Sequence, residues 1–131
     1  MTSPDGLRFS PAHTWARLED DASVTIGITV YAQYELGELQ YFGLPRVGQS
    51  VTLDVSFGEV ESSKTVSDLY APCSGEVVAV NAEIVANPSI ANHDPYGAGW
   101  AIRVKPSAPQ ELASLLEPSA YDALVAGQSG L

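Results

Sequence analysis

Basic side chains are scarce in this chain. Six Lys and Arg stand against sixteen Asp and Glu, a formal net charge of −10 at pH 7. Without a basic stripe to neutralise phosphates, nucleic acid and anionic membrane are poor partners, and proteins with basic faces fit better. Cysteine is almost missing as well. A single thiol, Cys73, rules out an internal disulfide, and neither His13 nor His93 stands at a zinc-site spacing from it, which suits a reducing compartment. No run approaches the roughly twenty apolar residues that span a bilayer. The first eleven residues hold neither a signal-peptide core nor an Arg-rich transit pattern. These absences predict a cytoplasmic protein beginning at its natural start.

Catalytic signatures are missing too. There is no Gly-rich phosphate loop, no G-x-S-x-G elbow, no H-E-x-x-H and no histidine pair near a nucleophile. Gly97-Ala98-Gly99 lacks the preceding strand and following helix that make a dinucleotide motif work. His13 and His93 read as packing or surface groups, Cys73 as a small apolar filler, and Glu19-Asp20-Asp21 as a solvated loop. The sequence predicts a protein that is not an enzyme.

What is present is an ordinary globular composition, 45% hydrophobic and 17% charged over 131 residues. That length makes one domain, burying about two thirds of the surface its unfolded chain exposes. Residues 13–18 and 24–28 read as a β-hairpin, the second strand setting Val24, Ile26 and Ile28 on one face. Thr29 caps a short helix that runs to about Leu36, where Gly37 supplies the left-handed stop. Another strand covers residues 39–42. Val51, Leu53, Val55 and Phe57 then alternate with polar partners, predicting one strand with a buried face. It leads into a tight hairpin whose return arm ends at Ala71, and a turn at residues 72–75 gives a second hairpin with 76–80, back to back with the first. Residues 81–99, with three Asn, two Pro and two Gly, read as turns with one helical turn near 82–86. Trp100, Ile102 and Val104 mark the last strand. Beyond it, Ser107 and Gln110 form a capping-box pattern before a helix lined by Leu112, Leu115 and Leu116. A final helix starts at Pro118, presents Tyr121, Leu124 and Val125, and stops at Gly127. Both helices are expected on the sheet edge.

Lys64 stands out at the tip of the first hairpin. The chain has only one other lysine, Lys105. No Gly, Asn or Asp supplies positive φ around Ser62, Ser63 and Lys64, so a type I turn is expected, pointing the lysine into water. Glu59, Glu61 and Asp68 frame it with negative charge that a partner can read.

The residues from Phe57 to Asn81 resemble the lipoylated hairpin of the glycine cleavage system H protein family. The likeness extends over most of the chain: His13-Thr14-Trp15 looks like the family's H-x-W strand, and residues 24–29 with 31–33, 36–38, 44–45 with 47–48, 94–97 with 99–100, Tyr121 and Leu124 follow in step. It implies a mainly β fold, a barrel-sandwich hybrid of two small antiparallel sheets with short helices and a C-terminal helical segment. One such domain spans residues 1–131, with a β core over 8–106 and C-terminal helices over 107–127. Lys64 matches the lysine that bears lipoate in amide linkage, and Glu61 and Gly75 match positions associated with recognition by the lipoylating enzyme. The implied function is a carrier one. The lipoyl arm takes an aminomethyl group from glycine decarboxylase to the aminomethyltransferase and is reoxidised by dihydrolipoamide dehydrogenase, after attachment by a lipoate ligase or a lipoyl or octanoyl transferase. Tethering raises the arm's effective concentration at each partner.

Four positions depart from the family pattern. Val30 replaces a common Asp, Gly43 a common Glu, Ser63 a common Val and Thr65 a common Ala, which bears on partner affinity and on the lining of any arm-binding groove. Two other readings compete: an H-like relay donating lipoate to 2-oxoacid dehydrogenases, and an unmodified β-sandwich interaction module.

Overall fold

A computed structural model describes residues 3–128. Nine antiparallel strands among these residues form two sheets. The larger sheet holds β1 (Arg8–Phe9), β2 (Thr14–Leu18), β3 (Val24–Ile28), β9 (Ile102–Pro106), β8 (Gly75–Val80) and β5 (Ser50–Val51), side by side in that order. The smaller one places β6 (Ser56–Ser62) between β4 (Leu39–Gly43) and β7 (Val66–Tyr70). This two-sheet arrangement with short helices is the fold class the sequence implied.

Local chemistry explains the elements that matter most. β2 and β3 form the expected hairpin, with Ala16 opposite Ile26. β3 is buried on both faces, not one, because the Trp15 ring lies on Gly27, where a Cβ would come within 2.7 Å of it. Helix α1 (Val30–Leu36) begins where Thr29 Oγ1 accepts from the Ala32 amide and ends at Gly37, whose φ of +82° needs glycine. The C-terminal helix α4 (Pro118–Gln128) buries Tyr121 and Val125 and packs along β1, stacking the Tyr121 and Phe9 rings at 4.7 Å. It runs one residue past the expected stop at Gly127. The leucines ahead of it divide between two clusters. Leu112 and Leu115 join Ile26, Val77 and Val104, whereas Leu116 joins Phe9 and Trp15.

Four expectations are corrected. The alternation from Val51 to Phe57 is not one strand. Asp54 turns the chain with φ of +64°, the Val55 amide closes onto the Thr52 carbonyl at 3.0 Å, and Val55 stays 53% exposed. Only on either side of this turn do strands form, one in each sheet, so the period-two signal spans a crossover. The two hairpins are not back to back either, since β8 pairs with β5 and β9 and leaves β7 at an edge. Residues 81–99 hold two helical turns, α2 (Ala82–Ala86), capped by Asn81, and α3 (Ser89–His93), which was not anticipated. Finally, Ser107 caps nothing. Its amide donates to the Ser74 carbonyl, and Pro109–Ser114 is a 3-10 turn held by Glu111, whose carboxylate accepts from the Ser74 amide at 2.7 Å and hydroxyl at 3.0 Å.

No helix of the described residues is long and apolar enough to cross a membrane.

Candidate functional site

The lysine hairpin is built from β6 and β7, with Glu61 opposite Val66 and Glu59 opposite Asp68. Its inner face is apolar: Val60 and Leu69 are buried with Phe42 and Ile28. This burial fixes the hairpin to the body of the protein while leaving Lys64 at its end exposed. At the tip the Ser62 amide donates to the Thr65 carbonyl at 2.8 Å. The buried Ser62 hydroxyl accepts from the amides of Lys64 and Thr65, each at 3.2 Å. A serine side chain thus closes the turn, and no residue from 62 to 65 has positive φ, in keeping with the absence of glycine there.

Lys64 is exposed. Neither ion pair among the described residues involves it; those join Arg8 to Glu117 and Arg17 to Glu19. Its stem passes over Gly37, where an added Cβ would stand 3.3 Å from Cε and 3.8 Å from Nζ. The missing side chain at Gly37 leaves the lysine room to swing out. Three carboxylates lie on the hairpin's strands. Glu61 is part-buried three residues before the lysine, and Glu59 and Asp68 are exposed. Two like charges directly opposite each other weaken a strand pair, so the cross-strand Glu59 and Asp68 repel, even though Asp68 also accepts a hydrogen bond from the Ser56 hydroxyl at 3.2 Å.

Gly75 lies elsewhere, at the start of β8 in the larger sheet, paired with Val51 and Pro106. A Cβ there would collide with the Lys105 carbonyl oxygen, so packing alone requires glycine. Glu61 thus shares the hairpin with Lys64, whereas Gly75 belongs to the other sheet.

Beside the hairpin a groove of about 150 Å³ runs between α1, through Tyr31 and Glu35, and β7, through Ser67 and Asp68. His13 lines it too. The His13 Nδ1 meets the Tyr121 hydroxyl at 2.8 Å, and Tyr121 also bonds Thr29 Oγ1 at 2.7 Å, so the α1 cap is tied to α4. Burial lowers the His13 pKa below its ordinary 6.5, against opposing contributions from Gln128 and Glu35. It also raises the Tyr121 hydroxyl above its usual range. Both shifts favour the neutral form of a packed side chain. Cys73 is fully buried, and desolvation pushes its thiol up to about 12, which makes it the inert filler its flanks suggested. No group of three or more His, Cys, Asp or Glu among the described residues is placed to hold a metal.

The family model for the glycine cleavage H-protein matches residues 7–128. The chain belongs to that family. Similar proteins include the glycine cleavage system H proteins of Alkalilimnicola ehrlichii, 45% identical over 95% of this chain and 96% of that one, and of Psychrobacter sp., 47% identical over 92% and 95%. Among solved structures, a glycine cleavage system H protein from Mycobacterium marinum superposes with a TM-score of 0.86, at 42% identity, covering 98% of this chain and 100% of the other. The family places the chain among the carrier components of the glycine cleavage system, not among its catalysts. None of these comparisons favours a lipoate relay or an unmodified interaction module.

One residue at this site was missed by the sequence reading. Asn92, on the unanticipated α3, bonds the segment that carries Gly37. Only its place among three asparagines in a Pro- and Gly-containing stretch hinted at it.

Proposed function

We propose that Lys64 carries lipoate in amide linkage and that the protein uses it to shuttle an aminomethyl group from glycine decarboxylase to the aminomethyltransferase. The observation that carries this reading is a solvent-exposed lysine, free of ion pairs with the described residues, at the tip of a two-stranded hairpin. The site suits such a group. Nζ projects from a turn closed by Ser62, and Gly37 offers no Cβ to obstruct the stem. Bound there, the lipoyl group supplies a reversible dithiol at the end of a long flexible arm.

The chain's own residues do the rest. Val60 and Leu69 hold the hairpin down, so that the attachment point is presented in one orientation. Acylation removes the ammonium charge of Lys64 and leaves Glu59, Glu61 and Asp68 as a wholly acidic frame for basic partner surfaces. Partners on this reading are glycine decarboxylase, the aminomethyltransferase, dihydrolipoamide dehydrogenase and a lipoate ligase or a lipoyl or octanoyl transferase. We also assign Glu61 to recognition by the attaching enzyme directly and Gly75 to it through the β8–β9 packing that only glycine allows, and place the carrier in the cytoplasm on its single-thiol composition.

The test compares the two lysines. Incubated with a purified lipoate ligase, lipoate and ATP, the wild type and Lys105→Arg gain one lipoyl mass increment and Lys64→Arg gains none. Acylation of Lys64→Arg, or none of the wild type, contradicts the assignment.

A further inference from the structure

Asn92 makes three hydrogen bonds with its side chain, and all of them grip the segment on which the lysine tip rests. Its Nδ2 donates to the Gly37 carbonyl at 2.9 Å and to Gln33 Oε1 at 3.0 Å, and its Oδ1 accepts from the Leu39 amide at 2.9 Å. Because the Leu39 N–H only donates and the Gly37 carbonyl only accepts, the amide has one orientation that satisfies both. The two bonds to backbone straddle Glu38. That residue's carbonyl accepts from the Ser63 amide at 3.1 Å, immediately before Lys64 in the chain. Helix α1 ends here as well, with the Gly37 amide closing on Gln33 at 2.9 Å. The left-handed Gly37 turns the chain so that Glu38 presents its carbonyl to the tip and no side chain blocks the lysine.

We infer that Asn92 is a positioning residue for modification of Lys64, acting through the Gly37-Glu38-Leu39 backbone to hold the hairpin tip in the conformation the attaching enzyme binds. This rests on Lys64 being the attachment point. The tip has three supports: the Ser62 turn from within the hairpin, the pairing of β4 with β6 that sets Leu39 opposite Ser62, and this strap, which holds the Glu38 carbonyl against Ser63 just beyond that pairing. Without the strap, the end beyond Ser62 is fixed by its own turn and samples other orientations. If the competent one is populated only in part, apparent affinity falls in proportion while the chemical step is untouched. The strap's loss therefore appears in KM and not in kcat.

Two variants break the strap at different points. Asn92→Ala removes the three side-chain bonds. Ser63→Pro removes only the donor to Glu38, since position 63 is the second residue of a four-residue turn, where proline is favoured. With a purified lipoate ligase, lipoate and ATP, each single variant is expected to raise the KM for the carrier about three- to tenfold with kcat unchanged. The double variant is expected to match the worse single, because both cut one strap. Amide hydrogen exchange at Ser63, Lys64 and Thr65 quickens in Asn92→Ala and stays unchanged in β2 and β3. An unchanged KM in either variant, or effects that multiply in the double, overturns the inference. Should Asn92→Ala fail to fold, Ser63→Pro decides alone on the same KM criterion. Should the wild type itself not be acylated at Lys64, the attachment reading fails first, and the strap is judged on exchange: undiminished protection of the tip in Asn92→Ala overturns it.

Discussion

At the residue scale the two positions assigned to enzyme recognition differ in kind, and substitution separates them. Glu61 is part-buried on the hairpin and its side chain makes no hydrogen bond or ion pair with the described residues, so Glu61→Ala leaves unfolding within about 0.5 kcal/mol of the wild type. Its lipoylation rate is expected to fall severalfold. Gly75→Ala drives a methyl into the Lys105 carbonyl between β8 and β9, costing about 1–3 kcal/mol in urea unfolding. Any loss of modification there is expected to track the loss of fold. His13 gives a second prediction. Burial depresses its pKa below 6.5, so the unfolded chain takes up a proton that the native imidazole refuses. Stability is then full above pH 6.5 and is lost as the pH falls toward the lowered native value. Urea unfolding at about pH 7.5 and pH 5.5 shows this decline in the wild type and a smaller one in His13→Gln. Much at this scale was legible in the sequence. Thr29 and Gly37 act through neighbours in the chain, and Lys64 was marked by rarity and family likeness. Asn92 was not legible, because its partners, two backbone atoms and the Gln33 side chain, lie more than fifty residues away and leave no trace in local pattern.

At the element scale the stretch from Val51 to Phe57 shows where periodicity misleads. Apolar and polar residues alternate as in a strand, but Asp54 sits at φ of +64°, and the buried Val51 and the part-buried Phe57 serve different sheets. Alternation records which positions are apolar. It does not record whether or by what they are covered, and Val55 stays 53% exposed. Asp is among the residues that tolerate the left-handed region, so Asp54→Gly should be neutral or slightly stabilising. Asp54→Val should cost roughly 1–2 kcal/mol, measured by denaturant unfolding. Equal stability of the two variants would mean that the turn is not held in that conformation. The Ser107 pattern failed for a related reason: Glu111 is drawn across to Ser74, and the chain settles into a 3-10 turn. The helix α4, by contrast, was read correctly from Pro118 and its apolar stripe, since burial of Tyr121 and Val125 agrees with local propensity.

For the whole molecule, a net charge of −10 and an acidic frame around the attachment point describe a protein suited to basic partners. Glu59 and Asp68 oppose each other across the hairpin, and relieving that repulsion should stabilise the fold while weakening docking. Glu59→Lys is expected to gain about 0.2–1 kcal/mol in thermal or urea unfolding. In reconstituted glycine cleavage, the same lipoylated variant is expected to show a raised KM, and the wild type a KM that rises with salt. A wild-type KM indifferent to salt would remove charge from the docking account. Two sheets, a hairpin packed down by Val60 and Leu69, and an exposed acidic surface together make a scaffold whose working part lies at one edge.

The central claim is that Lys64 is where this carrier is loaded. The most direct measurement is the intact mass of the protein purified from its native host, with peptide mapping of the segment that contains Lys64. The account predicts a single lipoyl increment located on Lys64 and none on Lys105. An unmodified Lys64, in cells that lipoylate their other carriers, would contradict it.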